Sequence, residues 1–366
     1  MKKYIAGMAA LVMLFTSMFS GASLAEEKKI SVVTTIFPIY DWVREIVGDT
    51  ENVEITLLLD NGVDLHSYQP TAQDIMKIAT CDAFMYVGGE SDGWVKDALA
   101  ESVNPDMVVV SLVEALGEDV RTEETVEGMQ HEHEEDEDHE HEEDEDHGHE
   151  DHEHEEDEEH EHEEDVDDGH EEDGHDHEAE VDEHVWLSLR NAEKLVAALA
   201  KALGEVAPDN AAAYDANAEA YVGRLAALDA EYAAARANAD FDTLLFGDRF
   251  PFRYLTEDYG LKYYAAFSGC SAESEASFET IAFLAGKVDE LGLTTVLTIE
   301  GGQSGATNQV HQGVAETVVQ NTRAKDAKVL VMDSMQGTTG ADAQSGATYL
   351  GAMEKNLEVL KQALAK

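Results

Sequence analysis

Between His131 and Glu180 the chain carries thirteen histidines and thirty-two carboxylates, with no lysine or arginine. Imidazole suits zinc, copper and nickel, carboxylate suits harder cations, and such a mixture offers several partial coordination shells without fixing one geometry. The composition marks a segment that gathers divalent metal loosely and does not say which metal. No packed core can be built from these residue types, so residues 118–180 are expected to form a solvated, disordered acidic loop. A plain solubility tail would need the acid but has no use for repeated histidine. The segment interrupts the chain rather than ending it. It runs directly into Val181-Asp182-Glu183-His184-Val185-Trp186-Leu187-Ser188, where apolar order resumes around one further histidine.

The flanking sequence must hold that chemistry, and it alternates between strand and helix. Ile30 to Ile36 is β-branched and reads as a buried strand, followed by helical spacing from Pro38 to Val47. Val53 to Leu59 is a second strand, and the loop after it carries Gly62-Val63-Asp64-Leu65-His66-Ser67-Tyr68-Gln69-Pro70 before Thr71 caps the next helix. Ala83–Val87 and Met107–Val110 are further strands, with a helix over Asp92–Leu99 between them. Beyond the acidic segment, Asn191–Leu203 is amphipathic, and Pro208 opens an alanine-rich stretch to about Ala237 that predicts one helix of roughly 40 Å at 1.5 Å per residue. Strands then resume at Thr243–Phe246, Tyr263–Phe267, Thr295–Glu300 and Val329–Met332, with helices near Tyr254, over Phe278–Glu290 and Val310–Thr322, and finally over Leu350–Leu364. The fold class is therefore α/β: two (β/α) lobes with parallel sheets, joined by one long rigid helix, with a cleft between them. The expected divisions are 26–117 with 181–207 for the first lobe, 208–238 for the linking helix and 239–366 for the second lobe.

The formal charge is −57, of which residues 131–180 supply −32, leaving −25 on the rest. That balance argues against nucleic acid and against anionic membrane surfaces. Residues 1–25 read as a secretory signal peptide: Lys2 and Lys3, an apolar run through Phe19, then Ser23-Leu24-Ala25 as a cleavage site. No cysteine follows the apolar run, so a lipid-attachment motif is not expected, and the protein is placed in the periplasm or at the cell surface. Cys81 and Cys270 fall in different lobes and read as small buried hydrophobes rather than as a disulfide.

The residues quoted around His66 and His184 resemble the first- and second-ligand loops of the metal-specific substrate-binding proteins of bacterial ABC importers, which serve zinc and manganese. The similarity covers essentially all of the mature chain, and the acidic, His-rich insertion just before His184 is similar to that of the zinc-type members. The resemblance implies two (β/α) lobes joined by a backbone helix, with one metal in the interlobe cleft. It also implies a monomer that delivers its ion to an ABC permease and the permease's ATPase. Each histidine lies where parallel α/β folds place ligands, and Asp64 and Glu183 stand beside them as carboxylates able to orient the rings. The third family position meets Phe246-Gly247-Asp248-Arg249-Phe250, ahead of Tyr259-Gly260-Leu261. Without a gap it falls on Arg249, which cannot ligate a cation, and with one extra residue it falls on Asp248. The fourth is Glu300, at the end of the strand Thr295–Ile299. The implied metal ligands are thus His66, His184, Asp248 and Glu300, with His311, Glu273 and Glu275 as lesser candidates.

Two nitrogens with two carboxylates would suit manganese better than an all-imidazole shell would, whereas the histidine-rich loop favours zinc. Zinc is the expected ion and manganese the alternative. Two further classes stay open on the residues alone. A metal-dependent hydrolase needs an open coordination position and a general base, but the sequence lacks a nucleophile elbow, an HExxH helix and a phosphate-binding glycine loop. A metal buffer or adhesin would rely on the acidic segment alone.

Overall fold

A computed structural model of the chain describes residues 29–130, 180–271, 275–299, 306–323 and 325–366. The signal segment and the His-rich stretch 131–179 lie outside the described residues. The β-branched run forms β1 (Ile30–Thr34), which leads into α1 (Phe37–Val47) with Pro38 in the first turn, where its missing N–H is not needed. Gly48 ends α1 at a positive φ of 57°. The first lobe continues through β2 (Val53–Leu57), α2 (Ala72–Thr80), β3 (Ala83–Tyr86), α3 (Val95–Ala100), β4 (Val108–Ser111) and α4 (Leu112–Leu116). Thr71 and Asp74 start α2 with a reciprocal capping box. All four strands are parallel in the order β2-β1-β3-β4.

After the acidic segment, Ser188 caps α5 (Leu189–Val206), and a 3-10 turn at Pro208–Asn210 leads into α6 (Ala211–Ala237). The expected long helix is therefore present, preceded by one tighter turn. It buries Tyr214, Ala218, Tyr221, Leu225, Leu228 and Tyr232, whose steps of four and three residues trace one stripe along the helix. The second lobe follows as β5 (Thr243–Arg249), α7 (Arg253–Tyr259), β6 (Lys262–Phe267), α8 (Phe278–Leu291), β7 (Thr295–Ile299), α9 (Ala306–Asn321), β8 (Lys328–Met332), α10 (Gly340–Gln344) and α11 (Tyr349–Ala363). Its parallel order, β6-β5-β7-β8, repeats the plan of the first lobe. Doubly wound sheets of this kind carry their ligands at the carboxyl ends of the strands.

The lobes do not merely face each other, because one continuous apolar cluster runs through both. Trp42 of α1 packs edge-on against Tyr349 of α11, with ring centroids 5.0 Å apart and both side chains fully buried. The Tyr349 hydroxyl donates to the Trp186 carbonyl at 2.7 Å, and Trp186 Nε1 donates to the Ser334 carbonyl at 2.9 Å. Asp41 of α1 accepts from the Tyr349 amide at 2.8 Å, so a carboxyl of one lobe serves the first turn of a helix in the other. With α6 spanning both lobes and these contacts at their base, wide hinge opening has no obvious pivot.

Burial pushes the Asp41 carboxyl up to about 6. A carboxyl whose folded pKa is raised holds a proton that the unfolded chain releases, so its contribution is full below the unfolded value near ~3.9 and is lost as pH rises through the folded one. Urea unfolding between pH 4 and pH 6 should therefore show the wild type losing stability with rising pH relative to Asp41→Asn. Parallel stability curves for the two proteins would refute this.

Candidate metal centre

His66 follows β2 through a turn in which Gly62 takes a φ of 72°. The Asp64 carboxylate accepts from the His66 amide at 3.0 Å and starts a 3-10 turn over Leu65–Ser67, with Leu65 buried beneath it. The ring is then fixed at Nδ1 by Ser91 Oγ, 2.7 Å away. Ser91 comes from the loop after β3, where Gly88 and Gly89 adopt φ of 91° and 92°. A Cβ on Gly89 would lie 2.5 Å from Glu183 Oε1, so only glycine lets this loop approach closely enough for the Ser91 amide to donate to that oxygen at 2.7 Å.

His184 enters from the other side, with its ring fully buried. Asp182 Oδ1 accepts from the His184 amide at 2.9 Å and lies 2.9 Å from His184 Nδ1. A carboxylate can only accept, so Nδ1 carries the proton and Nε2 presents its lone pair inward. The two Nε2 atoms of His66 and His184 meet at 3.2 Å. Two nitrogens bound at about 2.0–2.1 Å to one tetrahedral zinc ion would lie about 3.3 Å apart, so the pair already has the separation of ligands on a shared metal.

Burial sets the protonation of the groups around the pair. Burial first, and the neighbouring His184 second, lower the pKa of His66 to about 3, so its imidazole is neutral and able to ligate at ordinary pH. Burial raises Glu183, whose Oε2 is buried without a hydrogen-bond partner and sits 3.8 Å from His66 Nδ1. Burial, with Glu183 adding to it, pushes Asp92 up to about 7. Although burial opposes it, the Arg249 guanidinium holds the Asp64 carboxyl below its usual range, and the two side chains pair across the cleft at 2.7 Å.

The structure brings the ring nitrogens of His66 and His184 to 3.2 Å of one another, and Asp248 is held by hydrogen bonds of its own. The fully buried Asp248 carboxylate accepts from Thr298 Oγ1 at 2.5 Å, the Ile299 amide at 2.9 Å and its own neighbour's amide, Arg249, at 2.8 Å. It ties β5 to the end of β7, next to Glu300. Glu300 itself, Glu273 and the His311 side chain lie outside the described residues, while Glu275 is exposed and offers its carbonyl to Gln130. The orienting partners also differ from those expected: Asp182, not Glu183, holds the His184 ring, and Ser91 holds the His66 ring. Beside the two histidines lies Cys270, with one potential ligand atom from each of the three within 4.8 Å of one another. Cys81 is a buried hydrophobe as expected, but Cys270 opens onto the cleft, and neither forms a disulfide. One signal for Cys270 was available: it follows Gly269 at the carboxyl end of a strand.

The cleft cavity measures ≈ 420 Å³, and Glu90, Glu123, Glu180 and Glu183 make its lining acidic. The ends of the His-rich stretch are fixed at this rim. Thr122 bridges Val181 in antiparallel fashion, the Glu123 amide donates to the Glu180 carbonyl at 2.7 Å, and the Gln130 amide donates to the Ala266 carbonyl at 2.9 Å. Residues 118–130, assigned by composition to the solvated loop, thus make specific contacts, with Met129 buried.

Replacing either His66 or His184 by alanine should weaken zinc binding at least about tenfold, or about 1.4 kcal/mol, in chelator competition. Unchanged affinity would remove that residue from the site. Since His66 resists protonation while ordinary imidazoles titrate near ~6.5, acidification should abolish the weak multiple-site phase of a metal titration before the tight phase. Loss of both phases together would contradict this.

The family described as ZnuA, zinc-uptake complex component A periplasmic, matches residues 32–363. The chain is 31% identical over 366 residues to the zinc-binding lipoprotein AdcA of Streptococcus pneumoniae, covering 99% of this chain and 61% of that protein. It is 27% identical over 346 residues to the high-affinity zinc uptake system protein ZnuA of Bacillus subtilis, covering 94% and 90%. It thus spans about three fifths of the AdcA proteins it matches. Among solved structures, the Zn(II)-bound ZnuA-like domain of Streptococcus pneumoniae AdcA aligns over 92% of this chain and 99% of its own, with a TM-score of 0.63 and 25% identity. The periplasmic zinc binding protein TroA of Treponema pallidum shares the fold over 92% of this chain and 100% of its own, at a TM-score of 0.66 and 20% identity. The family model matches nearly the whole of the mature chain, and the chain therefore belongs to the ZnuA family, described as the periplasmic component A of the zinc-uptake complex.

Proposed function

We propose that this chain captures a divalent transition metal outside the cytoplasmic membrane, zinc in preference to manganese, and delivers it as a monomer to an ABC permease driven by its ATPase. The observation that carries this reading is the 3.2 Å approach of the imidazole nitrogens of His66 and His184 at the cleft. His66 and His184 bind the ion directly, and Glu300 joins them from the end of β7. Asp248 serves by pinning the residue before Glu300 rather than by direct ligation. Imidazole donors favour zinc over manganese. Relatives named as a lipoprotein and as a periplasmic component support the location. No helix among the described residues is long and apolar enough to cross a membrane.

In this reading the His-rich stretch supplies the cleft. It leaves and returns at the acidic rim, so weakly held ions stay at high effective concentration beside the tight site. Release then proceeds by small shifts of loops around the ligands, since the shared core resists large ones. Removing residues 131–179 should slow zinc capture at limiting zinc in stopped-flow measurements, yet leave the equilibrium affinity within about threefold, or under 1 kcal/mol. Loss of all tight binding would mark a metal buffer instead, and equal capture rates would defeat the role given to the stretch.

A further inference from the structure

At the end of β5 no described side chain is grouped with the histidine pair. Arg249 is a cation committed to Asp64, and the Asp248 carboxylate is engaged by Thr298, Ile299 and Arg249. Just past the end of β6 there is one. Gly269 lies so close to the His184 ring that a Cβ there would be 3.0 Å from Cε1 and 3.2 Å from Nδ1. That approach delivers the next residue, Cys270, to the histidine pair. The Cys270 amide donates to Glu123 Oε1 at 3.0 Å, which ties the loop to the segment crossing the cleft mouth.

We propose that the Cys270 thiolate is the third donor to the metal held by His66 and His184, and that this sulfur selects zinc against manganese. The proposal rests on the reading that the two histidines bind the transported ion. Sulfur at about 2.3 Å and nitrogen at about 2.05 Å from a tetrahedral zinc lie about 3.6 Å apart, so closing from within 4.8 Å takes a movement on the order of 1 Å. As the sulfur–metal bond forms, the Cys270 S–H bond breaks and its proton passes to water. A thiolate softens the shell toward zinc, whereas manganese prefers oxygen donors.

The test uses the full chain with one equivalent of cobalt(II) chloride. A near-ultraviolet sulfur-to-cobalt charge-transfer band is expected, absent in Cys270→Ser and retained in Cys81→Ser. X-ray absorption of the wild type with one equivalent of zinc should show sulfur at about 2.3 Å beside nitrogen at about 2.0–2.1 Å, a readout that requires no variant to fold. Cys270→Ser should weaken zinc at least roughly tenfold, the low end of the cost of losing a group that supports a metal, and should narrow the preference over manganese. Tight zinc binding that depends on His66 and His184 but shows no sulfur would overturn the role of Cys270 and leave the histidine reading standing. Wild-type affinity in both histidine variants would overturn both.

Discussion

Two imidazoles with ring nitrogens 3.2 Å apart, one fully buried and one half-buried at the cleft, form an arrangement that no folding force favours by itself. Each ring has to be held from behind, His184 by the Asp182 carboxylate and His66 by the Ser91 hydroxyl. Those partners are held in turn: the Tyr254 hydroxyl donates to the Asp182 carbonyl, and the Ser91 amide donates to Glu183. The chain is thus arranged around keeping two imidazole nitrogens close without letting either ring rotate away. The seam through Trp42, Trp186 and Tyr349 serves the same end on a larger scale, since Trp186 is two residues from His184 and is clamped to the opposite lobe.

Much of the architecture was legible because period and composition are local properties. The β-branched runs, the Pro38 and Thr71 helix starts and the alanine-rich strut all announced themselves, and the two sheets took the same strand order. The short helices α4 and α10 did not, since five residues carry little periodic signal. In the site, the histidines were visible from their loops, but their supports were not. Whether Asp182 or Glu183 faces the ring depends on the backbone of one tight turn. Ser91 reaches His66 only because two glycines bend the chain 25 residues away. Cys270 was passed over for a different reason: a lone cysteine reads as a small hydrophobe, and its place just past a strand after Gly269 gains meaning only when the tertiary structure sets it beside two nitrogens.

Charge is distributed in layers around this centre. Arg249 is the cation closest to the ligands in the cleft contacts described, and it is neutralised by Asp64, so the entrance stays acidic through Glu90, Glu123 and Glu180. On the proposed function, a divalent ion would meet these carboxylates first and the imidazole nitrogens afterwards, harder donors before softer ones.

The antiparallel stitch between residues 121–123 and 180–182 closes the base of the insertion before the insertion begins. Closing a chain segment between two such fixed points costs only about 0.6 kcal/mol more for each doubling of its length. The size and sequence of the insert are thereby uncoupled from the stability of the lobes. If the insert gathers metal as proposed, its capacity can follow its length while the cleft two residues beyond the stitch keeps its geometry, a dial that turns without rebuilding the instrument.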